Sequence, residues 1–222
     1  MSLRIVGVAD THLFHDRLAV PDGDVFVHAG DLCRGGSLPE LAQAAAWIRA
    51  LPHATKIVVA GNHDWPFVRD RGRAIELLGP DVIYLEDSGL TIGGLSFWGS
   101  PWQPIYGAWA FNLERGAALA ARWALIPDRV DVLITHGPPQ GIGDQGPISS
   151  RAGCEELRAR VEVVRPLLHL FGHIHQDGGL WQHDGVVFAN VTTADCRREP
   201  TVIDVAAEDR RVHPVEVPPP AG

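Results

Sequence analysis

Short apolar runs recur along the chain, and a glycine or a polar residue ends most of them abruptly. Runs rich in Val and Ile predict buried strands, and they lie at residues 3–8, 24–29, 56–60, 82–85, 130–135, 167–171, 186–190, 201–205 and 212–217. Apolar positions at helical spacing predict helices between them, at residues 37–51, 68–78, 114–123 and 155–164. Strands that alternate with helices favour an α/β (α+β) fold.

Two local signals refine this pattern. Ser37 followed by Glu40 predicts a capping box at the start of the first helix. Gly93 and Gly94, between β-rich flanks, predict a hairpin that adds antiparallel strands. Because both halves of the chain end strands in polar residues, we expect two mixed β-sheets packed face to face and flanked by helices.

Side chains able to bind metal ions follow five of the strands directly. The clearest case is Gly61-Asn62-His63-Asp64, which presents an amide, an imidazole and a carboxylate on one turn. Asn, Asp and His also occur in ordinary turns, but recurrence at strand ends favours a common ligand site, because open α/β sheets bind ligands at that edge. The candidate ligands are Asp10, His12, Asp31, Asn62, His136, His173 and His175.

The number of these side chains predicts two metal ions. One zinc ion takes about four ligands, whereas two ions about 3.5–4 Å apart share a ligand set of this size. Asp31 is the predicted shared ligand. Mixed nitrogen and oxygen ligation suits several metals, so manganese or an iron-containing pair is favoured, with zinc or cobalt as alternatives.

Composition limits the partners. The 222 residues are 45% hydrophobic and 21% charged, with a formal net charge of −8, which argues against tight binding to nucleic acid or anionic lipid. We expect one domain at residues 1–217 and a disordered tail at 218–222. No leader or long apolar segment stands out, and the three cysteines are widely spaced. These features predict a cytoplasmic protein with reduced thiols and no membrane contact.

The strand-end motifs together resemble the calcineurin-like metallophosphoesterase superfamily. They match its five blocks in order and residue type: Asp10-x-His12, Gly30-Asp31, Gly61-Asn62-His63-Asp64, His136 and Gly172-His173-Ile174-His175. Residues 27–32, 99–104, 109–112 and 135–139 are similar to the small metallophosphoesterase-domain-containing proteins known from brain and to bacterial relatives. The resemblance implies a four-layer fold and, for this subgroup, cyclic-nucleotide phosphodiesterase activity.

The resemblance also implies a role for each block. Asp10, His12 and His175 would hold one metal, Asn62, His136 and His173 the other, and Asp31 would bridge them. His63 would face the scissile phosphate as a transition-state stabiliser or leaving-group acid, with Asp64 behind it to orient or charge it. A water activated by the two ions would then attack phosphorus in line.

Two residues are further candidates for substrate contact. Arg34 departs from the small polar residue expected after Asp31, and it either reaches the phosphate or points to solvent. Trp102 lies in an aromatic loop at residues 99–109, together with Tyr106 and Trp109. This loop either packs on the protein or forms a stacking wall for a flat ligand.

The remaining histidines and acids are interpreted as structural. His28 and His169 lie within apolar strands and are expected in the core. Surface or loop positions are expected for His15, His53, His183, His213, Asp144, Asp177 and Asp195.

The predicted function is hydrolysis of phosphodiester bonds in small substrates, with 2′,3′- or 3′,5′-cyclic nucleotides favoured. A broad phosphomonoesterase, a metal-dependent nuclease and a non-catalytic scaffold of the same fold are the alternatives. The expected partner is a small nucleotide or phosphoester, with no stable nucleic acid complex, and a homodimer stays open.

Overall fold

Two mixed sheets form the centre of the protein and pack against each other. The structure is a computed structural model that describes residues 2–147, 150–206, 208 and 211–215. Within these residues each of the two large sheets has six strands. Helices cover their outer faces, so the predicted arrangement of layers is confirmed.

The first sheet carries the N-terminal strands at its centre. Its members are Ser2–Val8 (β1), Val25–Ala29 (β2), Thr55–Val59 (β3), Ile83–Tyr84 (β4), Thr201–Ala206 (β13) and Arg211–Val215 (β14). Their order is β14-β13-β1-β2-β3-β4. Strands β1 to β4 are parallel, whereas β13 runs antiparallel to β1. The parallel strands therefore deliver their carboxyl ends to one edge.

The second sheet repeats this plan with a later part of the chain. It contains Ser88–Ile92 (β5), Leu95–Ser100 (β6), Val132–Thr135 (β9), Leu168–Phe171 (β10), Gly179–His183 (β11) and Val186–Asn190 (β12), in the order β11-β12-β10-β9-β6-β5. The predicted hairpin is confirmed as β5 and β6. A short parallel pair joins Gln103–Pro104 (β7), in the aromatic loop, to Asn112–Leu113 (β8), which follows the loop.

Five α-helices lie among the described residues: Leu38–Ala50 (α1), Pro66–Arg69 (α2), Arg71–Leu78 (α3), Ala117–Trp123 (α4) and Glu155–Val164 (α5). The capping box of Ser37 and Glu40 is confirmed. The predicted helix at 68–78 is broken at Asp70, whose backbone leaves the helical region (φ −151°, ψ 69°) and whose carboxylate caps the new helix by accepting from Arg73 N.

The innermost core lies between the two sheets. Ile5, Val27 and Ile57 of the first sheet pack in one cluster with Val132 and Leu170 of the second. Each such side chain contributes about 1.5–3 kcal/mol when fully buried. A second cluster lies between the first sheet and helices α1 to α3, and a third between the second sheet and helices α4 and α5.

Three polar residues expected at the surface are buried instead. His15 and His53 are each 2% exposed, and Asp144 is 0% exposed. His15 stacks on Trp47 with ring centroids 4.8 Å apart, and Asp144 forms an ion pair with Arg151. Distant residues, Trp47 and Phe26, contact His15 and His53, and local polarity carries no sign of these contacts.

The sequence did not predict strand β11, which lies at one edge of the second sheet. Residues 216–222, which contain the predicted tail, lie outside the described residues.

Among the described helices, none is long and apolar enough to cross a bilayer.

Candidate metal centre

Strand ends from both sheets meet at the candidate site. Asp10 follows β1, Asp31 follows β2 and Asn62 follows β3, while His136 follows β9 and His173 follows β10. Backbone hydrogen bonds join the ends, since Asp10 N donates to Gly30 O at 2.9 Å and Gly172 N donates to His136 O at 2.9 Å. The polar residues that recur after strands in the sequence thus lie close together in the structure.

The backbone is strained where it presents several of these ligands. Asp10 (φ 55°), His12 (φ 44°), Asp31 (φ 61°) and His173 (φ 69°) all adopt the left-handed region. Residues other than glycine hold such conformations at a cost of order 1–3 kcal/mol each, and such residues concentrate at functional sites. Four of the seven predicted ligands share this property.

Glycines precede the ligands because the chain is crowded there. A Cβ atom on Gly61 would lie 2.3 Å from Asp31 N. One on Gly172 would lie 2.4 Å from Ala9 Cβ and 2.8 Å from Asp10 Oδ2. Even one methyl group would therefore displace a ligand.

The predicted ligands fall into two clusters of three. Asp10, His12 and His175 form one, with ligand atoms all within 4.8 Å of one another. Asp31, His136 and His173 form the other within the same limit. Asn62 joins the second cluster, since its Oδ1 lies 3.0 Å from His136 Nε2.

Asp31 lies between the clusters. Its Oδ2 is 3.7 Å from His12 Nε2 and 3.4 Å from His136 Nε2. These separations exceed ordinary hydrogen bonds, but they approach the roughly 3.0–3.4 Å expected between two ligands that are each about 2.1 Å from one ion. The donor set and its spacing therefore fit two metal ions with Asp31 between them.

Backbone carbonyls orient the imidazoles for this task. His12 Nδ1 lies 3.0 Å from Cys33 O, and His136 Nδ1 lies 2.9 Å from Ala29 O. A ring that donates Nδ1–H to a carbonyl keeps the lone pair of Nε2 for a metal. In both rings Nε2 is the atom that faces Asp31.

The charges of the cluster compensate one another. Burial raises the pKa of Asp10, but His175, whose Nε2 lies 3.6 Å from Asp10 Oδ1, and the charge of His136 bring it down to about 2. For His136, burial lowers the pKa, yet the negative charge of Asp31 raises it to about 9. The carboxylates thus stay ionised and available to cations.

His63 lies beside the clusters and is held by a carbonyl. Its Nδ1 lies 2.6 Å from Arg34 O, and its backbone N–H donates to Asp31 Oδ1 at 2.7 Å. The predicted role of Asp64 was to orient or charge His63 from behind; its carboxylate accepts backbone N–H groups, and the hydrogen bond to the His63 ring involves Arg34 O instead. A ligand atom of His63 also lies within 4.8 Å of ligand atoms of His12 and Asp31.

The carboxylate of Asp64 organises the backbone. It is 0% exposed and accepts four N–H groups: Oδ2 from Gly61 at 2.7 Å, Asp31 at 2.9 Å and Leu32 at 3.3 Å, and Oδ1 from Cys33 at 2.9 Å. Burial raises the pKa of Asp64, the charge of Asp31 adds to that, and these hydrogen bonds oppose it. Asp64 thereby links the ends of β2 and β3.

A cleft of about 710 Å³ opens over the clusters. Arg34 lines it and is also exposed, so its place agrees with both alternatives, contact with a phosphate or with solvent. Trp102 does not line it, because its Nε1 donates to Asp87 Oδ2 at 2.8 Å and the guanidinium of Arg122 lies 4.2 Å from its ring centre. Its place in the fold is a packing position.

Other lining residues were not candidates for the site. Phe14, Tyr106, Arg151 and Asp195 line the same cleft. Tyr106 is 59% exposed, and its ring centre lies 5.3 Å from that of His173. The density of aromatic residues at 99–109 was a signal for Tyr106, but nothing local marked Arg151 or Asp195.

A family model described as calcineurin-like phosphoesterase matches residues 3–177. The chain belongs to the calcineurin-like phosphoesterase family. Human metallophosphoesterase domain-containing protein 1 is 38% identical over 221 residues, which cover 89% of this chain and 68% of that protein. A UPF0046 protein of Caenorhabditis elegans is 37% identical over 209 residues, with coverages of 88% and 71%. The resemblance read from the five blocks is confirmed.

Solved structures share the fold. One crystal structure superposes with a TM-score of 0.71 at 15% identity and covers 97% of this chain and 99% of its own. GAP50, the anchor in the inner membrane complex of Plasmodium, gives a TM-score of 0.53 at 11% identity, with coverages of 98% and 89%. At such identities the likeness concerns the fold alone. The family match and the geometry of the site together identify a metallophosphoesterase with buried His and Asp clusters suited to metal binding.

Proposed function

We propose that the protein is a two-metal phosphodiesterase for small substrates, with 2′,3′- or 3′,5′-cyclic nucleotides as the leading class. The observation that carries the proposal is the place of Asp31, whose Oδ2 faces an imidazole of each cluster at the edge of an open cleft. A shared carboxylate is the arrangement that two-metal hydrolysis requires.

The cleft suits a small anionic substrate. Its volume of about 710 Å³ falls in the range of small-molecule sites. Arg34 lines it, and its charge attracts phosphate on a protein whose formal net charge is −8. Arg151 also lines it but already forms an ion pair with Asp144. The sequence offers no basic, aromatic-interleaved stretch that would hold a long nucleic acid strand.

Residues of the chain have separate tasks in the proposed reaction. When bound, two ions lower the pKa of a water molecule and draw charge from a phosphate oxygen. His63 holds Nε2 towards the substrate because Nδ1 is engaged by Arg34 O. It stabilises charge on the phosphoryl group or protonates the leaving oxygen.

The test measures metal-dependent hydrolysis on several substrates side by side. Protein stripped of metal and reloaded with manganese, iron, zinc or cobalt is given 2′,3′-cyclic AMP, 3′,5′-cyclic AMP, bis-p-nitrophenyl phosphate, a phosphomonoester and single-stranded DNA. We expect metal-stimulated turnover of the diesters, fastest on a cyclic nucleotide, and its loss in Asn62→Ala and His173→Ala. Wild-type rates in these variants, or no hydrolysis with any metal, would overturn the proposal. Faster cleavage of the monoester or of DNA would replace the substrate class.

A further inference from the structure

The aromatic loop is a rigid element attached to the turn that carries His63. Its strand β7 pairs with β8, which follows the loop, and Asn112 Nδ2 in β8 donates to the carbonyls of Tyr106 and Gly107 at 3.2 and 3.0 Å. Directly after the loop, Ala110 N–H donates to Asn62 O at 3.0 Å. The loop is therefore fixed to the residue that directly precedes His63.

Trp109 lies on the face of the His63 ring. The ring centroids are 3.9 Å apart with 29° between the planes, which is a stacked contact. The ring of His12 meets His63 from another side, edge to face, at 4.6 Å. Together with the hydrogen bond from Nδ1 to Arg34 O, these contacts restrain the imidazole in three directions.

The surroundings of Trp109 differ from those of the other loop tryptophan. Trp102 packs against both outer hydrophobic clusters, whereas Trp109 belongs to none of the three clusters formed by the described residues. Its stacking partner is a polar residue that lines the cleft. Core packing thus explains Trp102 and leaves Trp109 unexplained.

We propose that Trp109 is a positioning residue, which holds the His63 imidazole in the orientation that presents Nε2 to the phosphoryl group. This inference rests on the proposed function of the same site. An imidazole on a half-exposed turn otherwise samples several rotamers, and a misplacement of about 1 Å in a reacting group costs up to about 100-fold in rate.

A double-mutant cycle tests whether Trp109 acts through His63. Trp109→Leu removes the ring, Trp109→Phe keeps one, and Ile105→Ala, 53% exposed in the same loop, is the control. On a cyclic nucleotide we expect Trp109→Leu to lower kcat by about 30- to 100-fold with KM and metal content unchanged, while Trp109→Phe and Ile105→Ala retain most of the rate. In a His63→Ala background, Trp109→Leu should change kcat by less than about twofold.

Several outcomes would overturn the inference. An equal loss from Trp109→Leu in both backgrounds would assign Trp109 a general structural role, as would loss of metal. An unchanged kcat would leave it no role in positioning. If Trp109→Leu does not fold, Trp109→Met takes its place in the same cycle.

A spectroscopic measurement separates this inference from the proposed function. The Nδ1 proton of His63, bonded to Arg34 O, should give an exchange-protected imidazole signal that His63→Ala identifies by its absence. We expect the signal in wild type and Trp109→Phe and its loss in Trp109→Leu. A signal unaffected by Trp109→Leu contradicts the inference even if the protein hydrolyses no phosphoester. Inactivity with a Trp109-dependent signal would instead refute only the proposed function.

Discussion

The two sheets contribute different chemistry to one site. Among the seven predicted ligands, the first supplies Asp10, Asp31 and Asn62 with one imidazole, that of His12, whereas the second supplies only imidazoles, His136, His173 and His175. The two clusters of predicted ligands each draw residues from both sheets, whereas a third group, His12, Asp31 and His63, comes from the first sheet alone. Binding of two ions by the predicted ligands would therefore depend on the docking of the sheets.

The two halves are alike in their buried supports. In the first sheet His28 Nε2 lies 2.9 Å from Thr11 Oγ1, and in the second His169 Nε2 lies 2.8 Å from Thr135 Oγ1. Each threonine directly precedes a ligand histidine. The similarity between the two halves of the chain therefore includes these buried threonine–histidine pairs, although the ligands that the two sheets supply differ.

The largest effect is expected from the residue between the clusters. Asp31→Asn removes a charge that both clusters face, so we expect the rate of diester hydrolysis to fall by about 1000-fold and bound metal to fall from two ions to one or fewer. Metal analysis beside the kinetics checks this, with Glu76→Gln, a change at a surface helix, as control. Two ions retained in Asp31→Asn would remove this residue from the bridging position.

Removing the metal should loosen the junction between the sheets. Ions present at 100 to 1000 times their Kd stabilise the folded state by about 2.7–4.1 kcal/mol. We therefore expect chelation to lower the midpoint of thermal unfolding by several degrees, and hydrogen exchange to rise at strand ends of both sheets. Hydrogen exchange that rises in one sheet alone would show that the metal does not stabilise both sheets.

Gly172→Ala tests the close approach of the halves. Its Cβ would meet Ala9 and Asp10 of the first sheet at 2.4 and 2.8 Å, so we expect a loss of about 1–3 kcal/mol in the free energy of unfolding together with weaker metal binding. The matched control is Gly72→Ala in helix α3, where a Cβ meets nothing within 4 Å. That change should stabilise by about 0.5–1 kcal/mol. Equal effects of the two substitutions would show that the junction is not crowded.

The smallest effect is expected from His28 and His169, the two core histidines that each contact a threonine. Burial lowers the pKa of both His28 and His169 to about 3, so the unfolded chain binds these protons below pH 6.5 while the folded protein does not. Stability is therefore lost as pH falls from 6.5 towards 3, by roughly 2 kcal/mol per histidine down to pH 5. In metal-free protein, the free energy of unfolding measured with urea falls between pH 6.5 and pH 5. His28→Gln and His169→Gln should each make this fall smaller by roughly 2 kcal/mol. A variant as pH-sensitive as wild type would argue against a neutral buried ring there.

Strand ends were the predictable part of the site. The sequence placed all seven candidate ligands because each directly follows an apolar run, and parallel strands bring such positions to one edge. The contacts of His63 were not predictable, because Arg34 O and Trp109 reach it from separate loops and neither has a local signal. The burial of Asp144 by its hydrogen bonds with Gly141, Arg151 and Gly153 also had no local signal. Strand β11 was missed because its sequence lacks a clear apolar run.

Asp64 has a consequence for substitution that its neighbours do not share. Its two oxygens face four backbone N–H groups, so the position requires a group that only accepts. Asparagine has the same shape, but its NH₂ would point at donors it cannot satisfy. A residue that touches no substrate in the proposed reaction would thus reject its closest isostere, for reasons of hydrogen-bond polarity rather than of size.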